Sequence, residues 1–347
     1  MTQSLRDNRH RTTLLLGAAT AGLWLLVWLS SFVGASSSFG AETAMGRPVL
    51  EGFAAARPDV SAIRFTMADD RYTLERTAEG WTMRESGGYP IRRDRLSELA
   101  TGLELLTYDA ARTRDPEKLS QIGVSDPQAG GNGVLIEVFD ANSEVQHALI
   151  AGRKQGRIYV RAPGAVQAYR AGGDLPPFYN RRAWLDFDIL QIDQSAIRSV
   201  RLFDQTGAEL YLTRPAGGDR RSFVPAPPFE DLRLQSALAA STTALAITRL
   251  APSDAKPVSA LTSEPVARHI SETFDGLEVD LSAYRERDGL WVTLRAIEAG
   301  EGARRAAAIN TKTEGWAFRL PDYDFQDFTP LLSSLVSAPE PTDNEPS

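Results

Sequence analysis

The sequence predicts an α+β protein: one N-terminal transmembrane helix followed by two related modules, each an antiparallel β-sheet with one packed helix. Three observations carry this expectation. An uncharged apolar run extends from Thr12 to Val33. The polar remainder carries the same succession of strand-like and helix-like patterns twice. The strand-like stretches alternate apolar and polar residues, which suits antiparallel sheets with one wet face better than a doubly wound parallel core.

The run Thr12 to Val33 covers 22 residues, about 33 Å as a helix, and a hydrocarbon core is about 30 Å thick. Arg6, Arg9 and Arg11 precede it. Basic flanks stay in the cytoplasm, so residues 1–11 are expected there, and everything after Val33 in the periplasm. A cleavable signal peptide shares the basic start and the small residues Ala35, Ser38 and Gly40. The length of the run and the bulk of Trp24 and Trp28 favour a retained anchor in the inner membrane. The chain has no cysteine. Lipidation at a processed N-terminus, disulfides and thiolate metal sites are therefore excluded.

About 300 residues follow the anchor, enough for two domains. Residues 34–58 are expected as a linker, 59–175 as the first module, 176–195 as a junction, 196–336 as the second module and 337–347 as a disordered tail. The chain is 42% hydrophobic and 24% charged, ordinary for a globular protein. Its net charge is −7, and beyond the anchor 35 basic residues face 44 acidic ones. That balance argues against nucleic acid as a partner and against direct adhesion to anionic lipid headgroups.

In the first module Val60, Ile63 and Phe65 open a strand, Tyr72 and Leu74 continue in a second, and Trp81 and Met83 close a third. Leu96, Leu99, Leu103 and Leu106 then recur at helical spacing. The second module repeats the theme with Ile197, Val200 and Leu202, then Leu210 and Leu212, then Phe223, and a helix marked by Leu234, Leu238 and Leu245. Leu99 and Leu238 are thereby paired. Strands follow each helix: Val134 to Phe139 and Val145 to Ile150 in the first module, Leu277 to Leu281 and Leu290 to Ile297 in the second. The latter pair meets at Asp288-Gly289, a dipeptide suited to a tight hairpin. Further strands are expected over Arg157 to Arg161, Val166 to Arg170 and Gly315 to Leu320, and Pro252 to Pro265 is expected as a long surface loop. Asp322, Asp324 and Asp327 should open and cap a last helix toward Leu335.

The stretch Leu119-Ser120-Gln121-Ile122-Gly123-Val124-Ser125-Asp126-Pro127 resembles the Gly-Leu-x-x-Pro turn of the bacterial membrane-anchored domain of unknown function 4340 family, with Val124 where that family usually has leucine. Leu149-Ile150-Ala151-Gly152 and Arg157-Ile158-Tyr159-Val160-Arg161 are similar to its glycine turn and aromatic strand, and Trp184-Leu185-Asp186 to the junction between its repeats. The resemblance implies an envelope protein commonly encoded beside ABC transporters of the gliding-motility auxiliary type. It supplies no catalytic residues.

Chemistry-bearing residues are sparse. His10, His147 and His269 are the only histidines and show no paired spacing, so no metal is expected. Asp186, Asp188 and Asp193 lie close in sequence; they could serve glycan hydrolysis or form a solvated edge. Gly130-Gly131-Asn132-Gly133 lacks the lysine of a phosphate loop. The aromatic- and arginine-rich stretch Pro176 to Trp184 reads as a partner-binding segment through Tyr179, Arg181, Arg182 and Trp184, or as a linker whose Trp184 docks between modules. The expected function is a noncatalytic periplasmic accessory protein of a cell-envelope ABC transport system, without a cofactor, contacting a permease or auxiliary subunit. The alternatives are a module binding cell-wall glycan or lipid, with Trp291, Trp316 or Tyr169 lining a cleft, and a periplasmic hydrolase.

Overall fold

The computed structural model describes residues 44–215, 222–297 and 303–337. Strand outweighs helix, 39% to 27%, in three sheets. The α+β expectation is thereby corrected to a mostly β protein. The apolar run Thr12 to Val33, and with it the expected transmembrane helix, lies outside the described residues. Among those described, no helix is long and apolar enough to cross a membrane. Residues 338–347 of the expected tail also lie outside them.

The chain divides into two compact units: the first runs to Trp81 and resumes over Arg93–Ala183, and the second comprises Thr82–Arg92 and the chain from Trp184 onward. In chain order the strands up to Gly172 are β1 (Val60–Thr66), β2 (Arg71–Arg76), β3 (Trp81–Met83), β4 (Tyr89–Pro90), β5 (Thr107–Thr113), β6 (Val134–Asp140), β7 (Val145–Lys154), β8 (Arg157–Arg161) and β9 (Ala168–Gly172). They continue as β10 (Ile197–Phe203), β11 (Glu209–Thr213), β12 (Val224–Pro225), β13 (Arg233–Leu234), β14 (Asp254–Pro257), β15 (Pro265–Thr273), β16 (Glu278–Glu286), β17 (Gly289–Ile297), β18 (Trp316–Leu320) and β19 (Val336–Ser337).

The first unit's strands run in the order β2-β1-β6-β7-β8-β9-β5, and the second unit's in the order β11-β10-β15-β16-β17-β18-β14. Each number in the second series is nine above its counterpart. The correspondence extends to an irregularity: β1 slips register against β6 between Val60 and Ala62, and β10 slips against β15 between Ile197 and Ser199. A bulge inserts one extra residue and bends its strand, so the same kink recurs in both sheets. Phe65 faces Tyr72 across β1 and β2, rings stacked at 4.7 Å, where Leu202 faces Leu210 in the second unit. Asp288-Gly289 does mark a hairpin: Glu286 pairs Gly289, Arg287 and Asp288 form the loop, and Gly289 takes φ +132 at the mouth of β17.

Helices do not follow the duplication as closely. Helix α1 (Arg93–Leu105) buries Leu99 and Leu103, as leucines spaced by four should on one helix face. The second leucine series behaves otherwise. Leu234 lies in β13 paired with Val336, and Leu238 is 77% exposed. Helix α2 (Ala237–Ala244) begins at a Ser236 cap and turns Ala240, Ser241, Thr243 and Ala244 inward. Small side chains permit close approach, and of the expected leucines only Leu245, at the helix end, is buried. Leu99 and Leu238 are therefore not equivalent. The second unit instead gains α3 (Ala303–Thr313), whose Asn310 exchanges two 2.8 Å hydrogen bonds with the backbone of Ala296 in β17.

Three further expectations are revised. Residues 44–58 are docked: Phe53 is buried, and Gly46 and Val49 donate backbone hydrogen bonds to Tyr108 and Leu106 at 2.7 Å. Within Pro252 to Pro265, Asp254–Pro257 forms β14, and Asp254 and Ala255 are buried. The last helix stops early, as α4 (Phe325–Phe328), two residues before Pro330. The residue preceding a proline is disfavoured in helix, which accounts for the stop.

Candidate interaction site

The stretch after β9 is built to hold a turn rigidly. Gly173, at φ +98, redirects the chain past α1, where the absence of a side chain on Gly102 leaves room for the carbonyl of Asp174. Leu175 and Phe178 are buried. The Tyr72 hydroxyl donates to the Phe178 carbonyl at 2.8 Å. Arg153 clamps the same loop: its guanidinium donates to the Leu175 carbonyl, pairs with Asp174 at 2.9 Å and lies 5.9 Å from the Phe178 ring.

Tyr179 is fixed from below. Its hydroxyl accepts the Arg153 backbone N–H at 2.9 Å, and its ring tilts against Phe178 at 4.6 Å. Burial pushes the phenol's pKa up, opposed by that N–H and by the Arg153 charge, so it stays a neutral hydroxyl at physiological pH. The residue nevertheless remains 42% exposed. Asn180 Oδ1 then accepts the Arg182 N–H at 2.9 Å and starts a 3-10 turn over Arg181–Trp184. Arg182 is exposed and Arg181 half-buried.

Trp184 stands apart from the other three candidates. It belongs to the second unit, is 1% exposed, and its carbonyl accepts the Arg92 N–H at 2.7 Å. Tyr179, Arg181 and Arg182 belong to the first unit.

The Leu119 to Pro127 stretch lies next to this turn. Leu119 ends a short helix capped by Asp115, Gly123 takes φ +72, and Val124 is fully buried. Arg161 is buried with its Nε donating to the Val124 carbonyl at 2.9 Å and its Nη1 to Ala165 at 2.8 Å. Burial lowers the Arg161 pKa against the opposing charge of Asp126. Leu119, Val124, Leu135, Ile150 and Ala168 form one cluster. A Cβ on Gly152 would overlap the Gly123 carbonyl, and the Tyr179 hydroxyl lies 3.5 Å from where a Gly123 Cβ would stand. The motif's residues are thus structural, holding the loop on which Tyr179 rests.

The acids and histidines singled out from the sequence are placed separately. Asp186 meets Lys312 Nζ at 3.3 Å, while the Asp188 carboxylate accepts from Gln191 and Asp193 caps a 3-10 turn through the Ser195 N–H. His147 packs edge-on to Phe53 at 5.6 Å, and burial lowers its pKa. His269 is 2% exposed, its Nε2 lies 3.1 Å from the Phe328 carbonyl, and burial lowers its pKa to about 4. Among the described residues no group of three potential metal ligands comes together.

The aromatics suggested for a cleft serve packing within their own units. Trp291 is buried beneath Lys256, whose Nζ lies 4.1 Å from its ring, and Trp316 packs at 5.0 Å against Tyr89. Tyr169 packs against Tyr108 in the first unit at 4.6 Å. Tyr89 reaches the second unit through the Thr82–Arg92 segment, contacts Phe187 and Phe318, and donates to the Asp186 carbonyl at 2.9 Å. Burial and the nearby Asp186 charge raise its pKa far above the usual phenol range.

The profile of the family described as Domain of unknown function (DUF4340) matches residues 81–263, more than half of the chain. No curated protein matches the chain.

Proposed function

The chain belongs to the Domain of unknown function (DUF4340) family, and from that premise we propose that it is a noncatalytic accessory protein of a cell-envelope ABC transport system. In this reading the apolar run Thr12 to Val33 holds it at the inner membrane, the remainder lies in the periplasm, and it works by contact with a permease or auxiliary subunit.

The observation that supports contact is the clamped turn Phe178 to Arg182. Because Tyr72, Arg153 and Asn180 already immobilise the loop backbone and Arg153 holds the Tyr179 hydroxyl, covering the loop with a partner costs little further ordering of its backbone or of Tyr179. Tyr and Arg also dominate binding hot spots. Trp184 is not included, because its side chain is buried.

The test is pull-down of the detergent-solubilised native protein, asking whether an ABC permease accompanies it, with complementation of a deletion strain. Arg182→Ala should remove about 2 kcal/mol of binding, roughly thirtyfold, with the melting temperature unchanged, and Tyr179→Ala a similar amount with a small loss of stability from its bond to Arg153. Asp186→Ala, Asp188→Ala and His147→Ala should complement. Loss of function from one of these three without loss of stability would replace this reading with a hydrolase. A phosphatase fused after Ser347 should be active; inactivity would refute the periplasmic placement.

A further inference from the structure

At the start of α1 the first unit carries a groove of about 560 Å3, within the size range of small-ligand clefts. Its floor is apolar, from Phe53, Ile63, Trp81 and Leu96, and its rim is cationic, from Arg57, Arg76 and Arg93. No carboxylate is among its described lining residues. In a chain of net charge −7, a groove lined by three guanidinium groups and no carboxylate departs from the average.

The three arginines differ in their engagement. Arg57 pairs with Glu104 at 3.0 Å, which offsets one charge, and Arg76 donates to the Pro58 carbonyl at 3.3 Å. Both are thereby held over the groove. Arg93 is exposed at the first position of α1, where Asp94 in the same turn already complements the helix dipole, and an incoming anion would offset the charge of Arg93 itself. Guanidinium forks match phosphate and carboxylate oxygens in pairs, while the adjoining Trp81 and Leu96 favour hydrocarbon. A ligand satisfying both is an anionic amphiphile.

The length of chain before the groove selects its source. Ala44, the first described residue, follows Val33 by 11 positions, so the connection spans at most about 40 Å. Gly46 and Val49 then tie the chain to residues 106–108. A first unit tethered so closely meets membrane lipid at high effective concentration.

We propose that this groove binds the anionic headgroup of a membrane phospholipid, phosphate at the arginines and the first methylenes on Trp81 and Leu96. The source of the ligand rests on the membrane placement proposed above; the groove's chemistry does not.

Titration calorimetry of the full chain in nonionic detergent tests it with three probes: dihexanoyl phosphatidylglycerol, dihexanoyl phosphatidylcholine and inorganic phosphate. Phosphatidylglycerol should bind at least tenfold more tightly than either of the others. Arg93→Gln should weaken it about fivefold, and Arg76→Gln with Arg93→Gln at least tenfold at unchanged melting temperature. Equal binding of phosphatidylcholine, or no effect of Arg93→Gln, would overturn headgroup selection. Equal binding of inorganic phosphate would leave a simple anion site. An acidic peptide that displaces phosphatidylglycerol and binds more tightly would assign the groove to a protein instead. An inactive phosphatase fusion would refute the periplasmic placement while leaving this titration interpretable.

Discussion

His269 makes the second unit's stability depend on mildly acidic pH, and the size of the effect follows from its surroundings. The imidazole sits within β15, 2% exposed, with Nε2 3.1 Å from the Phe328 carbonyl and its ring 5.8 Å from that of Phe328. A neutral ring with its proton on Nε2 donates to that carbonyl; a charged ring would be buried without an anion. Its pKa accordingly falls from 6.5 to about 4. The unfolded chain therefore takes up a proton below about pH 6.5 that the folded chain refuses until about pH 4. Stability is full above the unfolded value and is lost as pH drops through that window. Between pH 7 and pH 5 the loss is about 2 kcal/mol, or about 4–8 °C in melting temperature for a unit of this size. The variant His269→Gln is expected to be less stable throughout, because its amide fits imperfectly, but without this slope. Denaturant titrations of both proteins at pH 7, 6 and 5 measure the difference, in which His147 cancels. Parallel pH dependences, or an NMR titration placing His269 near pH 6.5, would refute the argument.

Other outcomes follow from packing. Leu103→Ala in α1 removes a fully buried side chain and should cost about 2–5 kcal/mol, whereas Leu238→Ala, at a 77% exposed position, should cost under about 0.5 kcal/mol in the same denaturant assay. Gly152→Ala should destabilise the first unit by more than about 2 kcal/mol, since its Cβ meets backbone that cannot move aside; hydrogen exchange should show the loss centred on residues 119–127. Tyr72→Phe deletes the bond that holds Phe178 and should cost about 1 kcal/mol in a urea melt, while weakening partner capture through a looser Tyr179.

Much of the strand framework is legible in the sequence because a half-buried strand writes its register as alternation. Val60, Ile63 and Phe65, and Ile197, Val200 and Leu202, all occupy buried positions on strands of matching order. The bulges between Val60 and Ala62 and between Ile197 and Ser199 are why neither series keeps strict period two. The Leu119 to Pro127 turn and the Asp288-Gly289 hairpin are legible for a related reason: left-handed and tightly packed backbone positions demand glycine locally.

What the sequence determined by itself is local: alternating strands, glycine turns, one leucine-faced helix and the apolar run before residue 44. Only the tertiary structure decided which side chains meet. It showed that Leu238 faces solvent, because small residues of α2 make the buried contact. It showed that Tyr89 packs with Trp316 and Phe318 more than 220 positions away, and that Arg57, Arg76 and Arg93, from three different elements, rim one groove. Periodicity reports how a residue faces its own element; burial and charge clustering depend on what the rest of the chain brings against that face, over separations at which sequence spacing carries no geometric information.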